Sequence, residues 1–127
     1  MLRISRLTDY ATVVLAALAD EPERLQTASA LAERTHVALP TVSKLLKQLH
    51  RAGLVTSTRG LRGGYQLARP AKQITAAAIL DALEGPVALT DCAGGHGRCG
   101  IEQSCRVGHA WQHLNLAIRR ALTDVAL

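Results

Sequence analysis

The stretch Pro40–Leu67, PTVSKLLKQLHRAGLVTSTRGLRGGYQL, constrains the fold more than any other part of the chain. Val42, Leu45, Leu46 and Leu49 recur at three- and four-residue steps, leaving Thr41, Ser43, Lys44, Lys47 and Gln48 on the other faces. That period predicts an amphipathic helix ending near Ala52–Gly53. Leu54–Thr58 and Tyr65–Leu67 then read as two short strands, where valine and threonine suit extended backbone. The turn between them, Arg59-Gly60-Leu61-Arg62-Gly63-Gly64, is basic and glycine-rich. A helix followed by a basic hairpin predicts a winged helix-turn-helix.

The residues upstream fit that prediction. Leu7, Tyr10, Ala11, Val14, Leu15 and Leu18 predict a first helix over Thr8–Ala19, with Asp9 near its positive end. Asp20-Glu21-Pro22-Glu23 reads as a turn, and Thr27 as the N-cap of a short helix to about Thr35, with Ala28, Leu31 and Ala32 inward. His36–Leu39 is then the tight connection into the Pro40 helix, and proline is tolerated in a first helical turn. Two helices joined by three or four residues make a helix-turn-helix.

Downstream, Ile74–Leu83 reads as a helix ended by Gly85-Pro86, and Ala88–Gly100 as irregular. Val107, Trp111, Leu114, Ile118, Ala121 and Val125 then form a stripe of about five turns. One protomer of this size has too little core to cover it, so a homodimer helix is expected. With no Phe, one Trp and two Tyr, the core must be aliphatic, and association would help so small a domain. The expected class is mainly α with a small β-hairpin. The expected division is a winged helix-turn-helix over 1–86, a cysteine loop over 87–104 and a dimerisation helix over 105–127.

Charge points to the partner. The formal net charge is +5, but its distribution says more. Arg34 to Leu80 holds no acidic residue and carries Arg34, Lys44, Lys47, Arg51, Arg59, Arg62, Arg69 and Lys72. Such a stretch suits a polyanion, and the lack of stacking aromatics within it favours duplex DNA over single strands or RNA. Pro40, Thr41, Ser43 and Lys44 are candidates for base edges or phosphates in the major groove, with Lys47 and Gln48 further along. Arg59 and Arg62 at the hairpin tip suit a narrow minor groove. A winged-helix adaptor for protein contact is the competing class. No nucleophile–base arrangement and no phosphate loop can be assigned, so neither an enzyme nor a small-molecule substrate is expected. No apolar run approaches the roughly 20 residues of a membrane span. A cytoplasmic protein without membrane contact is expected.

All three cysteines, Cys92, Cys99 and Cys105, fall within one glycine-rich stretch, with six and five residues between them. In a reducing compartment this predicts metal or redox chemistry rather than a disulfide framework. Soft thiolates suit zinc or an iron–sulfur cluster, and a cluster needs a fourth ligand, from His96, Glu102, His109, His113 or elsewhere in a dimer. Zinc, cluster and thiol switch are all open on these residues.

The chain also resembles the iron–sulfur regulators of bacterial transcription typified by IscR, NsrR and the regulators of SUF cluster assembly. The resemblance runs over nearly the whole sequence. It rests on Leu7-Thr8-Asp9-Tyr10-Ala11, Val42–Leu49, Ala52-Gly53-Leu54-Val55, the hairpin Arg59-Gly60-x-x-Gly63-Gly64-Tyr65-x-Leu67-Ala68-Arg69, and Leu83-Glu84-Gly85-Pro86 before the cysteines. Trp111 and the basic end of the last helix look most like the SUF regulators. The resemblance implies a homodimeric repressor on a partly palindromic operator, sensing cluster or redox status and controlling cluster-assembly genes. It also implies a [2Fe-2S] cluster, with [4Fe-4S] the alternative, on Cys92, Cys99 and Cys105. Two branches of the family suggest the fourth ligand. One supplies an acidic residue from the partner's first helix, a place that Asp9 occupies. The other supplies a histidine three residues after the last cysteine, where His109 lies four residues on.

Overall fold

A computed structural model describes residues 4–85 and 107–127. Helix α1 spans Arg6–Asp20, and Ser5 caps it by accepting a hydrogen bond from the Thr8 amide. Helix α2 spans Ala28–Thr35, capped through the Thr27 hydroxyl, and α3 spans Leu39–Arg51. Strands β1 (Val55–Thr58) and β2 (Gly64–Leu67) pair antiparallel, with Val55 opposite Leu67 and Thr58 opposite Gly64. Helix α4 spans Ala76–Leu83 and α5 spans Gly108–Asp124. This is the mainly α fold with a small hairpin and a long C-terminal helix that the periodicities predict.

The core is aliphatic. Val14, Leu15 and Leu18 of α1, Leu31 of α2, and Val42, Leu45, Leu46 and Leu49 of α3 are fully buried together with Leu54 and Ile74. Burying each such leucine contributes roughly 1.5–3 kcal/mol over leaving it in water. The three-helix packing turns the polar face of α3 outward. Between α2 and α3, His36 takes a left-handed conformation at φ 59°, which turns the chain in the space of three residues. No described helix is long and apolar enough to cross a membrane.

Most element ends fall within two residues of the sequence expectation, and two of the differences change which contacts form. Residues 71–73 form one 3-10 turn, Ile74 is extended and buried, and Thr75 caps α4 by accepting from the Ala78 amide. The helical period of Ile74 is therefore fortuitous: a side-chain cap one residue later competes for the start. At the other end, Val125 does not continue the stripe as helix. Its carbonyl accepts from the Ala76 amide at 2.8 Å, and the Leu127 amide donates to Ile74 at 3.0 Å, so the last residues pair with the chain entering α4. Further along, both guanidinium arms of Arg119 hold the Asp81 carboxylate. Helix α5 thus runs antiparallel to α4. At 17 residues against eight, or about 25 Å against 12 Å, its first turns extend past the end of α4.

Candidate nucleic-acid interface

The buried residues of α3 sit on one side, so helical geometry decides which polar ones face out. Pro40, Lys44 and Lys47 are exposed and lie opposite Val42, Leu45, Leu46 and Leu49, while Ser43 is half-buried at the flank of that face. Arg51 continues the same face, one turn after Lys47, and is also exposed. Its spacing of seven and four residues from Lys44 and Lys47 is the sequence signal that places it there. Thr41 and Gln48 lie on the flank of α3 and are half-buried. The Gln48 Oε1 is shielded from solvent and meets no donor among the described residues. No side chain caps α3, whose residue before the first turn is Ala38. Its leading amides therefore face outward with the positive end of the helix dipole.

The hairpin carries Arg59 and Arg62 to the exposed end of the sheet, with Leu61 fully exposed between them. Gly60 is demanded by its φ of 112°, Gly63 by contact and Gly64 by both. A Cβ on Gly63 would lie 2.1 Å from the Thr58 carbonyl oxygen. On Gly64, at φ 154°, it would lie 2.8–2.9 Å from the backbone of Gln26. Gln26 makes an antiparallel bridge with Tyr65, its amide donating at 3.0 Å and its carbonyl accepting at 2.8 Å. This third piece of the wing had no signature: one residue before a helix cap has no strand period to detect.

The three cysteines lie outside the described residues. Of the two fourth-ligand candidates, Asp9 is exposed on the first turn of α1 and His109 is exposed on the first turn of α5. Among the described residues, no three His, Cys, Asp or Glu side chains form a group that could hold a metal.

The α5 stripe is open in the protomer. Trp111 and Leu114 on α5 are exposed at 40% and 48%, and Val107 and Val125 just beyond its two ends at 54% and 61%, an apolar row of the kind that marks an interaction surface. Ala121 is exposed and Ile118 half-buried beside them. The face turned to α4 instead holds buried Asn115, together with Arg119 and Leu122.

Residues 4–127 match the family model Rrf2, described as iron-dependent transcriptional regulator. A provisionally assigned HTH-type transcriptional regulator of Neisseria meningitidis serogroup A is 36% identical over 126 residues, covering 96% of this chain and 84% of that protein. Among solved structures, the chain is similar to CymR, the global cysteine regulator of B. subtilis. That match has TM-score 0.75 and 26% identity, covering 99% of this chain and 93% of the other. It is also similar to T. potens IscR, with TM-score 0.70 and 27% identity over 98% of this chain and 82% of the other. The winged helix-turn-helix and these relationships assign a regulatory, non-enzymatic role: the chain is a DNA-binding transcriptional regulator and belongs to the Rrf2 family.

Proposed function

We propose that this regulator works as a homodimer, reading duplex DNA with α3 and the wing and responding through its three cysteines. The observation that carries the DNA reading is the outward face of α3, where Pro40, Lys44, Lys47 and Arg51 align opposite the core with Ser43 at its flank. Pro40, Ser43 and Lys44 meet base edges or phosphates in the major groove, and Lys47 and Arg51 follow the backbone. Thr41 and Gln48 serve the edge of that contact. Arg59 and Arg62 enter the flanking minor groove. The open α5 stripe joins two protomers and makes the operator partly palindromic. The chain then divides into a DNA-reading unit over 1–86, a sensing segment over 87–104 and a dimer helix over 105–127.

Two sensing chemistries have support. Similarity to the B. subtilis global cysteine regulator favours a thiol-redox or zinc response at Cys92, Cys99 and Cys105 without a cluster. The iron-dependent description of the family model and the similarity to an IscR favour a [2Fe-2S] or [4Fe-4S] cluster that informs control of cluster-assembly genes. The donor set suits either, because three thiolates bind zinc or iron and both Asp9 and His109 present exposed donor atoms. A cluster would supply a redox- and iron-sensitive link between its ligands, stabilising whichever arrangement of the dimer binds it.

The test takes duplexes selected by the protein from a randomised library and measures their mobility shift over a salt series. Specific binding that weakens steeply with salt supports the DNA reading, and no selected sequence refutes it. Anaerobic purification with iron and sulfide analysis separates the sensing chemistries. Iron and sulfide in comparable amounts favour the cluster. A colourless protein whose affinity changes on thiol oxidation favours the thiol switch.

A further inference from the structure

Gln26 precedes the cap of α2 and is 3% exposed, yet each of its polar groups has a partner. Its backbone exchanges two hydrogen bonds with Tyr65 of β2. Its Nε2 donates to the Ala17 carbonyl of α1 at 3.2 Å, and its Oε1 accepts from Arg34 Nη1 of α2 at 2.7 Å. Arg34 is held in turn by Asp20 at 3.4 Å and Glu21 at 3.7 Å. One residue therefore joins all three, its side chain bonded to α1 and α2 and its backbone to the strand that leaves the wing tip.

A hairpin of two four-residue strands is marginal by itself in water. The Gln26–Tyr65 bridge lies only three residues from Arg62, at the tip end of β2 rather than at its root. Swinging the tip would break the two backbone bonds and strip a buried amide of its partners, which is costly in a low-dielectric interior. Gly64 lies against the same backbone, close enough that a Cβ there would meet Gln26 atoms at 2.8–2.9 Å.

We propose that Gln26, braced by Arg34, is a positioning residue for DNA binding, holding Arg59 and Arg62 at a set distance from the outward face of α3. The proposal rests on the wing contact described above. Gln26 itself does not touch DNA.

The test compares Gln26→Met, Arg34→Lys and the wing double variant Arg59→Ala/Arg62→Ala, alone and combined, on a duplex selected by the unmodified protein. Arg34→Lys retains the charge and sits at a half-exposed site, so it folds even where Gln26→Met does not. The double wing variant lowers the log–log salt slope by about 1.8, or roughly 0.9 for each phosphate charge no longer neutralised. Gln26→Met lowers that slope in the same direction with an affinity loss of about tenfold, and Arg34→Lys gives a smaller loss, as lost phosphate contacts require. Neither adds a further loss in the wing double background. A loss that adds fully to the wing loss, or an unchanged salt slope in both Gln26→Met and Arg34→Lys, overturns the positioning role while the wing contact stands. Unchanged binding by the double wing variant overturns the wing contact and this proposal together.

Discussion

The Thr8 hydroxyl donates to Glu84 Oε2 at 2.9 Å, joining residues 76 positions apart in sequence. Ser5 Oγ lies 3.0 Å from the same hydroxyl, so the start of α1 and the end of α4 share one polar cluster. The pair brings Asp9, the next residue of α1, to the corner where α4 ends. Thr8 is only 2% exposed, so its hydroxyl cannot be replaced by water at no cost. Thr8→Val should lower unfolding free energy by about 1 kcal/mol, and Thr8→Ser should recover most of it. Urea denaturation of the three proteins measures both.

The wing depends on bare backbone at Gly64. A methyl there would meet Gln26 backbone atoms at 2.8–2.9 Å, and the φ of 154° disfavours any side chain. Gly64→Ala should cost about 1–3 kcal/mol, the range for a residue forced into a sparsely allowed conformation. The Tyr65 amide should then exchange with solvent faster than the amides of α3. Equal protection of Tyr65 in both proteins would contradict the close contact.

His36 gives the opposite sign. It is exposed, and its φ of 59° strains an L side chain without a compensating side-chain contact to the core. His36→Gly should raise stability by about 0.5–1 kcal/mol, since the left-handed region is open to glycine. A thermal melt decides it. A lower midpoint would mean that the imidazole contributes something its exposure does not suggest.

The proposed dimerisation through α5 makes Trp111 a built-in reporter, because it is the only tryptophan and is 40% exposed in the protomer. Leu114→Glu places a charge on the same face one turn away. It should convert the protein to monomer by sedimentation, shift tryptophan emission to longer wavelength and abolish high-affinity operator binding, since burying an unpaired charge is prohibitive. A Leu114→Glu protein that still sediments as a dimer would remove α5 from the interface.

Lys44 and Lys47 should differ in kind from one another. Both are exposed on the outward face of α3, with Lys44 closer to the helix start. Lys47→Ala should lower the salt slope by about 0.9 and weaken all sequences alike, the signature of a phosphate contact. Lys44→Ala should also relax the sequence preference at one base position, by about 1–3 kcal/mol if it reads guanine. Comparing duplexes selected by each variant separates the two roles.

Much of this fold is written locally. The three- and four-residue spacing in α1, α3 and α5 is legible because one apolar face must leave water and a helix repeats every 3.6 residues. The Thr27 cap and the glycine-rich wing turn are legible for a similar reason, since each depends on the chemistry of one or two neighbouring residues. The basic outward face of α3 follows from the same arithmetic, and so does an α5 stripe too large for one protomer.

Tertiary structure decided what depends on distant partners. Nothing near Gln26 in sequence announces that it completes the wing, because its bridge to Tyr65 exists only after α1, α2 and the hairpin have packed. The start of α4 moved past Ile74 because that side chain found the core while Thr75 found the Ala78 amide. Thr8 and Glu84 are ordinary surface types in sequence and become a part-buried link only through the packing of α1 on α4. Periodicity identifies the elements of this regulator, whereas the bonds that set its wing and its α1–α4 corner lie between residues that only folding brings together.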